Sequence, residues 1–188
     1  MPTELLLRLL QTSSSLPKVY DNITGKVVVT PKAYGKSIKA TDLPDGIARF
    51  FPVSTDAPDK STTGLPQSIL LPILRGIRDE IAEIRQVYAS HEIRMVGGSL
   101  LIVYEADWTR AEEGISRLAI VPDEDEEDEE TEESDSDSEE AGNGPPYMVK
   151  LIDFAHARLA PGEGPDEGVL LGLDTVLRLI DGRISQLS

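Results

Sequence analysis

The stretch Val149–Leu159, VKLIDFAHARL, ends an apolar run with an aspartate, Asp153, and places a histidine, His156, three residues later. The apolar and β-favouring residues Met148–Ile152 predict a strand. A carboxylate at the end of a strand can hold a divalent cation in a cleft, or it can simply cap a turn, and its position leaves both interpretations open. A lone histidine is more often a partly buried polar group than a catalyst.

A second apolar run lies earlier in the chain. Residues Ser99–Glu105 follow the pair Gly97 and Gly98 and form a continuous apolar segment, typical of a strand that is buried on both faces. We expect this strand and the strand at 148–152 to pair as an antiparallel hairpin. The intervening residues would then be extruded at the far end of the hairpin.

A strongly acidic run separates the two predicted strands. Pro122–Glu140 holds 14 Asp and Glu residues and no Lys or Arg, and removing these 14 charges from the formal net charge of −16 leaves −2 for the rest. Such a run repels itself and cannot bury apolar area, so we expect a disordered loop over 122–146. It is either a solvated spacer or a substrate for an acid-directed protein kinase at Ser134, Ser136 and Ser138.

The remaining chain predicts two long helices. Segment Leu65–Ser90 has an apolar stripe at helical spacing, formed by Ile69, Ile73, Ile77, Ile81 and Ile84 and widened by Leu70, Leu74 and Val87. Pro72 is expected in the first turn of this helix or at a break just before it. A C-terminal helix carries its apolar residues on one side, namely Leu173, Val176, Leu177, Ile180 and Ile184.

The N-terminal part predicts a hairpin and a short helix. KVY and KVVVT flank the turn DNITG, which is typical of two paired strands. The short helix ends before Pro52, with Thr41 or Asp42 as its N-cap and Phe50 and Phe51 as core anchors. Together with the long helices and the apolar strands, these elements predict the α+β fold class.

Composition excludes several classes of protein. The absence of cysteine excludes a disulfide scaffold and a thiolate metal site. We expect no membrane span, because no apolar run approaches about eighteen residues, and no signal peptide. Direct binding of nucleic acid is not expected, because the chain outside the acidic run has no net positive charge. HExxH, GxSxG and Walker A motifs are absent, which removes the metalloprotease, serine hydrolase and P-loop interpretations.

A group of lysines offers a second candidate feature. Lys32, Lys36 and Lys39 lie close together in PKAYGKSIK, in a chain with few basic clusters. Opposite a magnesium and phosphate site they could bind an anionic substrate. The alternative is an ordinary solvated face.

Taken in order, the motifs resemble the C-terminal lobe of the inositol polyphosphate kinase family, especially its fungal multikinases. They are VYDNITGKVVVTPKAYGKSI with LPDGIARFF, then RMVGGSLLIVYE, KLIDFAHA and GPDEGVLLGLDTVLRLI. The resemblance covers about Leu16 to Ile180, including a variable acidic insertion. It implies a two-lobed kinase-like fold, with this chain supplying a C-terminal lobe of antiparallel strands packed on helices over 16–188. Residues 1–15 would be an atypical segment, with the N-terminal lobe absent.

The resemblance also implies a reaction and a set of site residues. The reaction is phosphorylation of an inositol polyphosphate by ATP with Mg²⁺, with a phosphoinositide as a further substrate. Asp153 would bind the Mg²⁺ that bridges the ATP phosphates, and Ser99 would contribute to the same site. His156 would act at the catalytic centre facing the inositol substrate, and Lys32 would lie near the substrate phosphates. Asp174 would be structural, tying the C-terminal helix to the site.

Two departures from the family pattern affect the expected activity. The motif PxxxDxKxG, which carries a ribose-contacting Asp and a Lys of the catalytic centre, is absent, and Gly98 stands where the family usually has Ser. Losing several groups around one phosphoryl group should cost more than the ~10²- to 10³-fold of removing one donor. We therefore expect a truncated form with impaired activity.

A non-catalytic interaction module is the second hypothesis. It would use the kinase lobe as a scaffold and the acidic loop as a docking surface for basic proteins, such as transcription or chromatin proteins. Substituting Asp153 by Asn should abolish a kinase activity and leave such docking unchanged. Either hypothesis is expected to place the protein in the nucleus, the cytoplasm or both.

Overall fold

A computed structural model describes residues 18–21, 24–54, 63–118 and 144–188, and it confirms the predicted α+β class. Within these residues the strands are β1 (Lys18–Asp21), β2 (Lys26–Val29), β3 (Ile93–Met95), β4 (Ser99–Tyr104), β5 (Tyr147–Ile152) and β6 (Ala157–Leu159). The helices are α1 (Lys32–Ser37), α2 (Leu43–Phe50), α3 (Gln67–Ala89), α4 (Trp108–Leu118) and α5 (Glu167–Leu187). The strands form three separate antiparallel pairs, β1 with β2, β3 with β6, and β4 with β5.

Helices α3 and α5 pack against each other and carry most of the core. In α3 the predicted stripe is confirmed by burial of Ile69, Ile73, Ile77 and Ile81, whose spacing of four places them on one face. The prediction is wrong for Val87, which is 54% exposed. Tyr88, one residue further along and about 100° around the helix, lies on the buried face in its place.

The C-terminal stripe is confirmed at its centre. Leu173, Val176 and Ile180 are buried in α5, whereas Leu177 and Ile184 flank them and are partly exposed. These residues meet the stripe of α3 to form the helix interface.

Pro72 lies inside α3 as its sixth residue, so the prediction of a first-turn position or a break is wrong. A proline at this point removes one backbone hydrogen bond and normally strains a helix. Leu70 and Ile73 on either side of Pro72 are fully buried and anchor the chain on both flanks. Tertiary packing therefore carries the helix through the proline.

The predicted pairing of the two apolar strands is confirmed. β4 and β5 are antiparallel, with a register that runs from Ser99 opposite Ile152 to Tyr104 opposite Tyr147. Burial on both faces is wrong, because Val103 is 46% exposed. α3 packs against β5, where the Glu80 carboxylate accepts a hydrogen bond of 2.9 Å from the Val149 amide.

Helix α4 follows β4, where the sequence analysis predicts no helix. Its N-terminus is marked by Asp107, whose carboxylate accepts a hydrogen bond of 3.0 Å from the Arg110 amide. Its fully buried residues are the small Ala111 and Gly114, so its apolar stripe is weak in the sequence.

Residues 119–143 lie outside the described part of the chain, and with them the predictions for Ser134, Ser136 and Ser138. Pro146 is described and buried, and its carbonyl accepts a hydrogen bond of 2.8 Å from the Glu105 amide. Pro146 is thus held against the end of β4, and the disordered loop expected over 122–146 stays a prediction.

The N-terminal hairpin and short helix are confirmed. β1 and β2 pair from Lys18 opposite Val29 to Asp21 opposite Lys26. Asp42 occupies the N-cap position of α2, but its carboxylate caps the preceding 3₁₀ turn by accepting a hydrogen bond of 3.0 Å from the Lys39 amide. Phe51 is fully buried, as expected of a core anchor.

The pair of β3 and β6 is not predicted from the sequence. Each strand has three residues, and they join in register from Ile93 opposite Leu159 to Met95 opposite Ala157. Through this pair, β6, which follows Asp153, lies next to β3, which precedes Ser99. Among the described helices, none is both long and apolar enough to cross a membrane.

Candidate functional site

Asp153 directly follows β5 and has an unusual backbone conformation. Its φ of 68° and ψ of 51° lie in the left-handed region, and it is the one non-glycine residue with positive φ among those described. Aspartate tolerates this region better than most residues do, and such outliers cluster at functional sites. The carboxylate is exposed and accepts no hydrogen bond from the described residues.

Ser99 lies next to this turn across the hairpin. It opens β4 opposite Ile152, the residue immediately before Asp153, and it is only 5% exposed. The turn before it includes Gly97, whose φ of 80° favours glycine. The resemblance leads us to expect serine at position 98. A Cβ atom there would overlap the side chain of Met95, so glycine fits this close turn where serine would not.

His156 ends the short 3₁₀ turn Phe154–His156 that follows Asp153. Its side chain is exposed, and its carbonyl accepts a hydrogen bond of 3.2 Å from the Val96 amide. The structure therefore brings Ser99, Asp153 and His156 to the same end of the β4–β5 hairpin.

Lys32 is the first residue of α1, and its side chain lies outside the described part of the molecule. Its position near a substrate phosphate stays a prediction. Next to it in the same helix, Tyr34 packs against the core and lies under the guanidinium of Arg49, 4.4 Å from the ring centre. The backbone of α1 is thus anchored through Tyr34.

The donor set at Asp153 fits one kind of metal site. Within the described ranges, no group of three or more His, Asp or Glu side chains is placed to hold a metal by itself. Mg²⁺ is commonly bound by one or two carboxylates together with substrate phosphates and water, so a single exposed carboxylate is compatible with it. A closed structural zinc or calcium site would need more protein ligands than this turn provides.

Two charged residues of the β3 segment hold the loop that follows β6. The carboxylate of Glu92 accepts hydrogen bonds of 2.8 and 3.0 Å from the amides of Gly162 and Gly164, and these bonds lower its pKa. Arg94 donates to the carbonyls of Glu163 and Gly164 at 2.7 and 2.8 Å. Sequence analysis missed both residues, because their partners are backbone groups about seventy positions away.

Asp166 was also missed as a site residue, although its position before the C-terminal helix is a recognisable N-cap signal. Its carboxylate accepts hydrogen bonds from the amides of Gly168 and Val169 at the start of α5. It also accepts one of 3.2 Å from the Met95 amide in β3.

The resemblance implies that Asp174 ties the C-terminal helix to the site, and the partner that the structure gives it lies in α3. Its two carboxylate oxygens accept hydrogen bonds of 2.8 and 3.1 Å from Arg85, and this guanidinium lowers the pKa of Asp174. A bidentate pair of this kind fixes geometry as well as charge. It ties α5 to α3, and no described contact ties it directly to Asp153.

An apolar groove of about 370 Å³ lies beside the turn. Its apolar lining comes from α3, β3, β5 and the 3₁₀ turn, namely Ile84, Val87, Tyr88, Ile93, Leu151 and Phe154. Phe154, directly after Asp153, is 52% exposed at its edge. The groove therefore reaches the residue next to the candidate carboxylate in the chain.

The architecture is that of a kinase-like lobe, as solved structures show. One is a crystal structure of inositol phosphate multikinase from Saccharomyces cerevisiae in complex with ADP and Mn²⁺. It matches with a TM-score of 0.57 and 22% identity, over 93% of this chain and 58% of that chain. A second structure of an inositol phosphate multikinase gives a TM-score of 0.55 and 18% identity, over 88% and 59% of the two chains.

The sequence comparisons define the family. The model of inositol polyphosphate kinase matches residues 16–181, and the chain belongs to this family. Inositol polyphosphate multikinase of Saccharomyces cerevisiae is 43% identical over 99 residues, which is 46% of this chain and 28% of that protein. The chain therefore spans about a quarter of the curated relative and little more than half of the crystallised one.

Proposed function

We propose that the chain carries the metal-binding and substrate-facing part of an inositol polyphosphate kinase, which transfers the γ-phosphoryl group of ATP to an inositol hydroxyl. The observation that carries the proposal is the convergence of Ser99, Asp153 and His156 at one end of the β4–β5 hairpin in a member of this family. Soluble inositol phosphates are the expected substrates, with a phosphoinositide as a further one.

In this proposal each residue has a distinct role. Asp153 would hold Mg²⁺ through its exposed carboxylate, and the buried Ser99 would help to hold the same metal and phosphate group. A bound Mg²⁺ would neutralise the phosphate charge and align the reacting oxygens. The exposed imidazole of His156 would bind the inositol phosphate, and Lys32 would add positive charge near its phosphates.

A turnover assay with Mg²⁺, ATP and inositol trisphosphate tests the proposal. Replacing Asp153 by Asn should reduce turnover by more than about 10²-fold, because the metal loses its charged ligand. The matched control replaces Asp45 by Asn, since Asp45 is an exposed acid of α2 without a described ion pair. Absence of turnover and of any ATP-induced thermal shift in the unsubstituted chain would contradict the proposal.

We further propose that this chain is a truncated form whose activity alone is impaired. The support is the small share of the relatives that it spans and the absence of PxxxDxKxG from its sequence. Sequencing the transcript upstream of Met1 tests this, since an in-frame PxxxDxKxG segment is the expected result. An in-frame stop codon directly upstream would argue against it.

A second candidate function rests on the acidic run. We propose that residues 123–140, which hold 14 acids and no basic residue, bind basic partner proteins in the nucleus or cytoplasm. Deleting 123–140 should abolish binding to a basic partner such as a histone, and raising the salt concentration should weaken it. Asp153→Asn should leave this binding unchanged, and an equal loss in that variant would contradict a docking role.

A further inference from the structure

Asp166 joins two elements that are distant in the sequence. Its Oδ1 atom accepts hydrogen bonds of 3.1 and 3.3 Å from the amides of Gly168 and Val169, and so caps α5. Its Oδ2 atom accepts a hydrogen bond of 3.2 Å from the amide of Met95, the last residue of β3. One carboxylate therefore fixes β3 to the beginning of the C-terminal helix.

Met95 and its neighbour are in turn bound to the segment that follows Asp153. Met95 is paired with Ala157 in the β3–β6 ladder, and the Val96 amide donates to the carbonyl of His156. His156 ends the 3₁₀ turn and Ala157 directly follows it, so the position of Met95 determines where that turn lies. Asp166 is thus connected to the turn that bears Asp153 through two hydrogen bonds, its own from the Met95 amide and that of the adjacent Val96 amide to His156.

The other end of this connection is rigid. The first turns of α5 are buried at Val169, Leu170 and Leu173, and Asp174 adds the bidentate pair with Arg85 of α3. When the 3₁₀ turn is bonded to such a helix, the core sets the position of the turn, and the short strands β3 and β6 contribute less. The turn itself has little packing of its own, since Asp153 and His156 are exposed.

We propose that Asp166 is a positioning residue, which sets the 3₁₀ turn so that Asp153 and His156 face the same substrate. The proposal rests on the proposed kinase function for the substrate, whereas the coupling between Asp166 and the turn is a property of the folded chain alone. If Asp166 were only a helix cap, substitutions that keep the cap would leave the turn unchanged.

Asparagine separates these two roles. Asn is as good an N-cap as Asp, and its amide oxygen can still accept from Gly168 and Val169. Its amide nitrogen would replace the oxygen that faces the Met95 amide, and two donors cannot bond to each other. Asp166→Asn should therefore keep the start of α5 and break the link to β3.

Amide hydrogen exchange followed by NMR provides the primary test. In Asp166→Asn, the amides of Met95, Val96 and Ala157 should exchange about 10-fold faster, while Val169 keeps its protection. The matched control is Asp181→Asn, because Asp181 is an exposed residue of the same helix that pairs only with Arg78 among the described residues. Unchanged exchange at β3 and β6, or an equal acceleration at Val169, would overturn the positioning role.

Binding of Mn²⁺ provides a second readout that a purely structural cap would not affect. With ATP present to supply the phosphate ligands, paramagnetic broadening of the amides around Asp153 should require about 10-fold more Mn²⁺ in Asp166→Asn, as is common when a residue behind a metal ligand is lost. Equal Mn²⁺ affinity in both proteins would overturn the inference. If the unsubstituted chain binds no Mn²⁺, the proposed kinase function fails, and the exchange data still decide whether Asp166 positions the turn.

The test remains decisive if Asp166→Asn does not fold. Exchange of the unsubstituted chain in low denaturant should then show Met95, Ala157 and Val169 opening together as one unit. Opening of β3 and β6 well before α5 would show that the helix does not hold the turn.

Discussion

Replacing Gly76 by Ala should destabilise the protein, although helix propensity alone predicts the opposite. Gly76 is an interior residue of α3, where Ala is more favourable by about 1 kcal/mol. A Cβ atom there would lie 2.6 Å from Cε1 of Tyr147 and would overlap its Cζ and Oη atoms. The ring therefore occupies the space above Gly76, at the end of β5 that is opposite Asp153.

The magnitude follows from these two opposing effects. Forcing extra atoms into a packed site costs typically about 1–3 kcal/mol, and an overlap with three atoms of the tyrosine side chain belongs at the upper end. Subtracting the propensity gain leaves a net loss of about 2 kcal/mol, which lowers Tm by about 4–8 °C for a chain of this size. Thermal unfolding followed by circular dichroism measures the change directly.

Gly182 in α5 is the matched control for this prediction. A Cβ atom at Gly182 meets nothing within 4 Å, so Gly182→Ala should raise Tm by up to about 4 °C. In a double variant, Tyr147→Leu removes the overlapped ring atoms, and the penalty of Gly76→Ala should disappear. A rise in Tm for Gly76→Ala equal to that for Gly182→Ala would refute the assignment of this contact.

Three further predictions concern the core, the loop after β6 and the site. Phe51→Ala should lower the free energy of unfolding, measured by chemical denaturation, by about 3–5 kcal/mol, because the ring is fully buried and its centre lies 5.2 Å from that of Tyr104. The control, Val87→Ala, should change it by less than about 0.5 kcal/mol, because Val87 is exposed. Equal effects would contradict the core assignment. Folding lowers the pKa of Glu92 below its ordinary value of 4.5. The Glu92 carboxylate therefore stabilises the fold at pH values above 4.5, and this stabilisation is lost as the pH falls through the lower pKa of the folded state. Protection of the Gly162 amide, measured against the intrinsic exchange rate at each pH, should fall over that acidic range, and Glu92→Gln should remove this pH dependence. A variant that keeps it would exclude Glu92 as the titrating group. Asp153→Asn should abolish turnover and leave Tm unchanged, since Asn also tolerates positive φ. A large fall in Tm would instead indicate that the Asp153 carboxylate has a structural role.

The sequence predicts the parts of the fold whose pattern extends over several turns. Ile69 to Ile81 repeat for more than three turns of α3, and a stripe of that length survives the proline within it. Helix α4 lacks such a signal, because the residues that it buries are an alanine and a glycine, Ala111 and Gly114. Strands of three residues, such as β3, are shorter than any window in which alternation can be recognised.

The same reasoning separates the predicted site residues from those that were missed. Asp153 and Ser99 are visible in the sequence because each interrupts or opens an apolar strand, and the hairpin register then places them together. Glu92 and Asp166 act through backbone amides of remote segments, and no local pattern records such partners. Sequence reasoning therefore identifies the groups that could meet a substrate more readily than those that hold them in place.

The backbone conformation of Asp153 helps to choose between the two interpretations of this residue, a metal ligand or the cap of a turn. A side chain in the left-handed region costs roughly 1–2 kcal/mol of stability. If the residue at φ of 68° only turned the chain, glycine would therefore be the most stable choice. Asp153 keeps its carboxylate despite this cost, and the carboxylate caps no described amide at the turn. An aspartate that served only to cap a turn would be expected to accept such a bond. We therefore expect this carboxylate to serve an external ligand, and the proposed Mg²⁺ is a ligand that one exposed carboxylate and a phosphate substrate would share.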